Sequence, residues 1–312
     1  MTIDNKNRDI IVAALKHAAP YIRMFKRKVF VIKAGGELFV DPTATQALVD
    51  QIAILQQVGV RVVIVHGAGP QSTQLAKERG LVTQMIQGRR VTDAATLEVS
   101  AAANQQISAV ILAACAAIDL PAVSLRGADR NLIRAVKRPP VQVDGVGLVD
   151  YGYVGDIQSI DCSGIEEYLD KGLVPVISPL SATADGQLLN INADTVAAAL
   201  AAALKAEKLI LATGAPGILE DVRDLRSLVS YLDLAGLQRL REQGSLADGM
   251  LPKAKAIEAA INGGVQRVHV ISYTLPDSLL LEVFTNEGTG TLIVKSIEAL
   301  SAAEQASTEK SA

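Results

Sequence analysis

The sequence predicts an α/β protein: a three-layer αβα sandwich around an open, mainly parallel central sheet, arranged as two lobes. Short runs at 28–33, 60–65, 122–125, 174–178, 208–211 and 267–271 are apolar on both sides, as strands covered on two faces must be. Segments of helical period separate them, at 43–58, 71–79, 92–118, 194–206 and 252–262, which is the alternation of a parallel α/β sheet. The 312 residues are 49% hydrophobic but only 3% aromatic, so the core is large and built from Val, Ile, Leu and Ala.

Taken from the N-terminus, Ile10, Ile11, Ala14, Leu15 and Ala18 recur at helical spacing. They predict an amphipathic helix over 4–19 that ends before Pro20, whose ring nitrogen has no hydrogen to donate. Such a helix can pack on its own domain or on a neighbouring subunit, and its spacing leaves both open. Residues 1–25 are therefore a candidate oligomerisation element. A first lobe at 26–195 meets a second at 196–300 without a Pro- or Ser-rich linker, so the two belong to one fold. Between 141 and 160 short alternating runs with glycines predict a small antiparallel hairpin excursion. Residues 301–312 are small, polar and charged, and are expected to form a disordered tail.

Bulk charge excludes some classes. Thirty Lys+Arg against 33 Asp+Glu give a net charge of -3, with no electrostatic case for nucleic acid or an anionic membrane. The most apolar stretch, 194–204, is shorter than the roughly 20 residues a membrane helix needs. The polar start lacks a signal-peptide core, and a cytoplasmic, soluble protein is expected. Cys115 and Cys162 sit in unrelated segments, and His17, His66 and His269 are scattered, so no zinc-ligand spacing exists.

Chemistry gathers at strand ends. Lys33 closes an apolar strand and runs into Gly35-Gly36; burying its charge alone would cost several kcal/mol, so it must point at something polar. Glycines let backbone N–H groups approach an anion closely, and ligands of parallel sheets sit at the carboxyl ends of strands. His66-Gly67-Ala68-Gly69 repeats the arrangement after the next strand, although Ser72 stands where a dinucleotide fingerprint has its third glycine. Arg90 precedes a long helix with Thr92 or Asp93 as N-cap, and is either a solvated cation or a clamp for a carboxylate. Asp194, in Asn190-Ile191-Asn192-Ala193-Asp194, is either a helix cap or a functional carboxylate. Lys253 follows Pro252 at a helix start, where a cation opposes the macrodipole unless an anion is also present. Thr213-Gly214-Ala215-Pro216-Gly217-Ile218 is a loop suited to a nucleotide, or a turn. Two cations, one orienting carboxylate and backbone donors are the parts that phosphoryl transfer needs.

Together these segments resemble the amino-acid kinase superfamily and, within it, the N-acetylglutamate kinases of arginine biosynthesis. The likeness runs over 21–294. It rests on Ile32-Lys33-Ala34-Gly35-Gly36, His66-Gly67-Ala68-Gly69-Pro70-Gln71, Arg90-Val91-Thr92-Asp93, Asn190-Ile191-Asn192-Ala193-Asp194, Gly249-Met250-Leu251-Pro252-Lys253 and Phe284-Thr285-Asn286-Glu287-Gly288-Thr289-Gly290-Thr291, six motifs in order. The resemblance implies the amino-acid kinase fold and transfer of the γ-phosphoryl of ATP to the side-chain carboxylate of N-acetyl-L-glutamate. It implies catalytic roles for Lys33, Lys253 and Asp194. Gly35, Gly36, Gly67, Ala68, Gly69, Arg90 and Asn190 would bind the acceptor. Thr213, Gly214, Gly217, Ile218, Met250 and Lys253 would bind ATP, with Mg2+ held mainly by the nucleotide phosphates and no metal site of the protein's own.

The resemblance also implies a homo-oligomer, dimer or hexamer, and an L-arginine effector site at Tyr21, Glu282 and Gly288. Four positions depart from the family's pattern. Ala68 replaces a usual glycine, Gly214 a common aspartate, Glu37 adds a charge beside the anion loop, and Asp277 stands where arginine-inhibited members have histidine. A kinase for a related acid, such as an aminoadipate derivative, and a non-catalytic arginine sensor are the alternatives.

Overall fold

The apolar runs read as strands become six adjacent strands of one eight-stranded sheet in the computed structural model, which describes residues 5–86, 89–143, 145–246, 249–285 and 288–299. The chain begins with α1 (Asn5–Phe25), β1 (Val29–Ala34), α2 (Pro42–Gln57), β2 (Arg61–His66) and α3 (Gly69–Glu78). It continues through β3 (Met85–Ile86), β4 (Arg89–Arg90), α4 (Ala94–Ala116), β5 (Ala122–Arg126), β6 (Ile133–Lys137), β7 (Val141–Val143), β8 (Gly147–Val149) and β9 (Gly155–Ile160). Next come α5 (Ser163–Asp170), β10 (Val174–Ser178), β11 (Leu180–Ala182), β12 (Leu188–Asn190), α6 (Ala193–Ala203) and β13 (Lys208–Thr213). The last elements are β14 (Tyr231–Asp233), α7 (Leu234–Glu242), α8 (Leu251–Asn262), β15 (Arg267–Ser272), α9 (Ser278–Phe284) and β16 (Thr291–Val294).

The main sheet runs β14-β16-β15-β13-β1-β2-β10-β5. Every pair in it is parallel except β15 with β16, which reverses direction at the far edge. Alternate residues of β1 go to opposite layers. Phe30 and Ile32 pack with α2, α4 and α9, whereas Val31 packs with α5, α6 and α8. Lys33 shares the parity of Val31 and so points to the α6 and α8 side; a slip of one residue would reverse this. His66 at the end of β2 has the parity of Val62 and Ile64 and points the other way, to α4.

Two sequence expectations need correction. The first helix does not stop at Pro20 but runs through it to Phe25. The hydrogen bond lost there is offset by its last turn: Tyr21 stacks on Phe25 and meets Phe284 edge-on, each 6.5 Å between centroids, and Phe25 meets Phe30 at 5.2 Å. The excursion at 141–160 does contain the antiparallel hairpin β7–β8, but β9 leaves it to join a second sheet, β12-β11-β6-β9, that period alone did not suggest. The expected tail at 301–312 lies outside the described residues. By length and composition α4 could cross a membrane, yet it packs on α2, α3, β5 and β10 with Leu97, Val99, Ile107, Ile111 and Cys115 in the core.

Candidate active site

The two glycine turns leave neighbouring strands at the same end of the sheet, with Lys33 paired to Val65 and Ala34 to His66. They touch backbone to backbone. A Cβ on Gly36 would lie 3.0 Å from the Ala68 Cα and 3.1 Å from the Gly67 carbonyl, so a larger residue would crowd the second turn. Gln71 Nε2 donates to the Gly36 carbonyl at 2.7 Å and ties α3 to the first turn. Ala68 packs into the core of the α2 and α4 layer while still bordering the cleft.

Asp194 lies in the first turn of α6, but it is not the cap. Asn192 takes that position, its Oδ1 accepting from the Thr195 amide at 3.1 Å. The Asp194 carboxylate is thereby free to face the sheet. Lys33 Nζ stands 2.9 Å from Oδ1 and Lys253 Nζ donates to Oδ2 at 3.3 Å, so two ammonium groups distant in sequence share one acid. Lys33 is 5% exposed and Asp194 4%. Burial pushes the Asp194 carboxyl up, but the charges of Lys33 and Lys253 and the hydrogen bond from Lys253 outweigh it and hold the group below the usual carboxylate range. The Lys33 contact is close without being aligned as a hydrogen bond, so Oδ1 keeps a lone pair to spare.

These groups open onto a cleft of about 240 Å³, lined by Lys33, Gly35, Gly36, Gly67, Ala68, Gly69, Arg90, Asn190, Asp194 and Lys253, all anticipated from sequence. Arg90 Nη2 donates to Thr73 Oγ1 at 2.7 Å and more weakly to the Gly69 carbonyl at 3.4 Å. Its Nη1 is buried and has no protein partner among the described residues, as a guanidinium awaiting a carboxylate would be. Asp93 caps α4, accepting from the Thr96 amide at 2.7 Å, which settles the choice between Thr92 and Asp93. Glu37 is exposed at the mouth, its carboxylate lying where a Cβ on Gly35 would be.

The cleft also has walls that sequence reasoning missed: Ser72, Ser100, Asn104, Pro179 and Ile191. The signal for two of them was present. Ser100, Asn104 and Ser108 fall four apart in a helix otherwise rich in Ala, Val, Ile and Leu, and such a stripe marks one polar face.

The loop expected to hold the nucleotide starts at Thr213, where β13 ends beside β1. Thr213 Oγ1 donates to the Ala215 carbonyl at 3.0 Å, and a Cβ on Gly214 would stand 3.4 Å from the Tyr273 hydroxyl. Gly217 is hemmed in, since a Cβ would come 2.6 Å from both Leu228 Cδ1 and Thr291 Oγ1. Ile218 is buried and its amide donates to Thr291 Oγ1 at 2.8 Å, so this pair fastens the loop to β16. Met250 is the N-cap residue of α8, and of the six expected nucleotide residues Lys253 alone borders the cleft.

Glu282 and Gly288 lie together away from the cleft. Glu282 Oε1 receives His269 Nδ1 at 2.6 Å, Oε2 receives the Thr289 amide at 2.8 Å, and a Cβ on Gly288 would lie 3.0 Å from Oε2. Lys208 Nζ is 2.9 Å from the other nitrogen of His269. Burial raises the Glu282 carboxyl, while the His269 hydrogen bond and charge, the Thr289 amide and Lys208 together hold it low. Tyr21 reaches the same helix through Phe284. Asp277 begins α9 in a left-handed conformation and its side chain makes no cap hydrogen bond.

The model of the Amino acid kinase family matches residues 28–272. The chain is 46% identical over 289 residues to the acetylglutamate kinase of Myxococcus xanthus, covering 91% of this chain and 94% of that one. It is 41% identical to the acetylglutamate kinase of Symbiobacterium thermophilum, covering 91% and 97%. Among solved structures, the N-acetylglutamate synthase of Neisseria gonorrhoeae, complexed with coenzyme A and L-arginine, superposes with a TM-score of 0.80 at 30% identity. The match covers 91% of this chain and 65% of that one, so this chain spans just under two thirds of the synthase.

Proposed function

This chain belongs to the amino acid kinase family, and we propose that it transfers the γ-phosphoryl group of ATP to the side-chain carboxylate of N-acetyl-L-glutamate. The observation that carries the reading is the pair of ammonium groups on one buried acid, 2.9 and 3.3 Å from its two oxygens, beside two glycine turns. In a phosphoryl transfer the reacting carboxylate is already ionised near neutral pH, so no general base is required. What must be supplied is positioning and positive charge around the moving group.

In this reading Lys33 and Lys253 stand on either side of the transferring phosphoryl, and Asp194 holds both ammonium groups at the spacing that requires. Amides of Gly35, Gly36, Gly67, Ala68 and Gly69 donate to phosphate oxygens and to the attacking carboxylate. Arg90, with one nitrogen unpartnered, takes the α-carboxylate together with Asn190. Residues 26–195 hold the acceptor and 196–300 the nucleotide, which lies over Thr213 and Gly214 with its phosphates toward Met250 and Lys253; Gly217 and Ile218 shape that loop from behind.

Among the described residues no three His, Cys, Asp or Glu converge on one point. In this reading Mg2+ is carried mainly on the nucleotide phosphates, where it would neutralise the charge of the departing diphosphate. Cytoplasmic residence fits such a substrate pair.

The test is transfer from radiolabelled ATP to N-acetyl-L-glutamate, with the acyl phosphate trapped by hydroxylamine as a hydroxamate. Transfer to N-acetyl-L-aminoadipate and not to N-acetyl-L-glutamate would move the reading to a longer acid. No acyl phosphate from either would leave it without support.

Assembly and regulation belong to the same reading. Ile10, Ile11, Val12 and Leu15 are exposed along α1, apolar surface that a second copy of the chain would cover in a dimer or hexamer. Tyr21, Glu282 and Gly288 would form the L-arginine site, with the Glu282 carboxylate as its anionic partner. Inhibition by L-arginine in the same assay tests this directly.

A further inference from the structure

One helix lays a buried polar stripe that reaches the cleft. Ser100, Asn104 and Ser108 follow one another at four-residue spacing on α4 and are 2%, 3% and 7% exposed. Ser108 is occupied, its hydroxyl 2.8 Å from His66 Nε2 behind the cleft. Asn104 is half occupied. Its Nδ2 donates to the Ser100 carbonyl at 2.8 Å, which assigns the amide orientation, because the flipped form would set oxygen against oxygen. Its Oδ1 is buried and has no partner among the described residues. Ser72 of α3 borders the same cleft and is itself buried.

A buried acceptor without a partner costs about 1–3 kcal/mol, and a wall of Val or Leu would avoid that cost. A ligand that brings a donor to this point removes that cost. The rest of the cleft is spoken for: Lys33 and Lys253 mark the phosphoryl end, and Arg90 with Asn190 the α-carboxylate. What remains faces the N-acyl limb. In an N-acyl glutamate both carboxylates are ionised and only accept, so the amide N–H is the one donor the molecule has.

We infer that Asn104 Oδ1 receives the amide N–H of the acceptor, with the hydroxyls of Ser72 and Ser100 available to its carbonyl and with Pro179 and Ile191 against the acyl methyl. The pocket then selects N-acylated acids by reading the amide itself. This rests on the function proposed above and goes further in assigning Asn104 as the residue that sets specificity for the amide.

The experiment compares kcat/KM for N-acetyl-L-glutamate with that for its ester counterpart, (S)-2-acetoxyglutarate, which has oxygen in place of the N–H. Wild-type enzyme is expected to prefer the amide by roughly 10- to 100-fold, the loss seen when a buried acceptor is left unpaired. In Asn104→Leu the amide falls by a similar factor, the ester changes little, and the ratio moves toward one. An unchanged ratio in the variant, or an equal fall for both compounds, overturns the inference and leaves Asn104 a structural residue. The wild-type measurement decides even where the variant fails to fold, because equal use of amide and ester also overturns it. Phosphorylation of neither compound would instead remove the acetylglutamate reading and this inference with it.

Discussion

Replacing Asp194 by Asn tests the centre of the site, because it removes a charge and keeps the shape. In the wild-type protein that one carboxylate faces two ammonium groups at 2.9 and 3.3 Å, and both it and Lys33 are almost wholly buried. Removing one member of a buried ion pair typically costs about 3–5 kcal/mol, because the partner's charge is stranded. Here two cations are stranded, but Lys253 retains some exposure and can turn toward water. We therefore expect Asp194→Asn to lose about 3 kcal/mol, a large part of a typical stability of about 5–15 kcal/mol. Turnover should fall on the order of 10²- to 10³-fold, as when preorganised charge is lost at a transition state. The stability loss is read as a lower urea midpoint at unchanged slope. Adding Lys33→Met removes one stranded charge at similar volume, so the double variant should regain at least about 1 kcal/mol over Asp194→Asn while staying inactive. A double variant no more stable than the single one, or an Asp194→Asn enzyme with normal turnover, would refute the reasoning.

Other outcomes follow from the same geometry. Lys253→Ala should lower turnover on the order of 10²-fold with ATP affinity largely kept if, as proposed, its charge acts on the moving phosphoryl; near-normal turnover would remove that role. Arg90→Lys keeps a charge but loses the planar fork, so KM for the acceptor should rise about 10-fold or more while kcat changes less, as steady-state kinetics would report. His66 and His269 are both buried, and burial lowers each to about 4 from 6.5. The unfolded chain then binds more protons between those values, so stability is complete above pH 6.5 and declines as pH falls toward 4. The loss is on the order of 3 kcal/mol per histidine. Urea midpoints from pH 7 to 4.5 should show that decline, with a shallower slope in His66→Gln. A flat profile would contradict it.

Much of the fold was legible because its strands are short β-branched runs bounded by glycine and its helices carry their own stop signals. What was not legible has physical causes. Pro20 looked like a terminus because its ring removes a hydrogen bond, and only the contacts of Tyr21 and Phe25 with Phe284 and Phe30 show why the helix continues. The second sheet was hidden because β11 and β12 are three residues each, too short for a period to register. The face on which Lys33 lies was hidden too. In a strand buried on both sides, Val31 and Ile32 are equally apolar and alternation leaves no trace.

The site itself was legible as residue types at strand ends, whereas its assembly is a matter of topology. From β1 the chain builds outward through β2 to β10 and β5, then returns across the sheet to place β13 on the opposite side of β1. The strand order therefore reverses at β1, and a crevice opens above its carboxyl end. The crossover that makes the return is α6, which packs on β1 and must begin above that same end. Asp194 thus meets Lys33 because it occupies the first turn of a helix that starts at the reversal. Its neighbours could not substitute: Asn192 is spent on the cap, and a shift of one position turns a side chain by about 100° around the axis, away from both ammonium groups. The pattern Asn-Ile-Asn-Ala-Asp suggested a cap to sequence reasoning, and it does contain one. Placing the cap on Asn192 is what leaves the carboxylate two residues later free for the cleft.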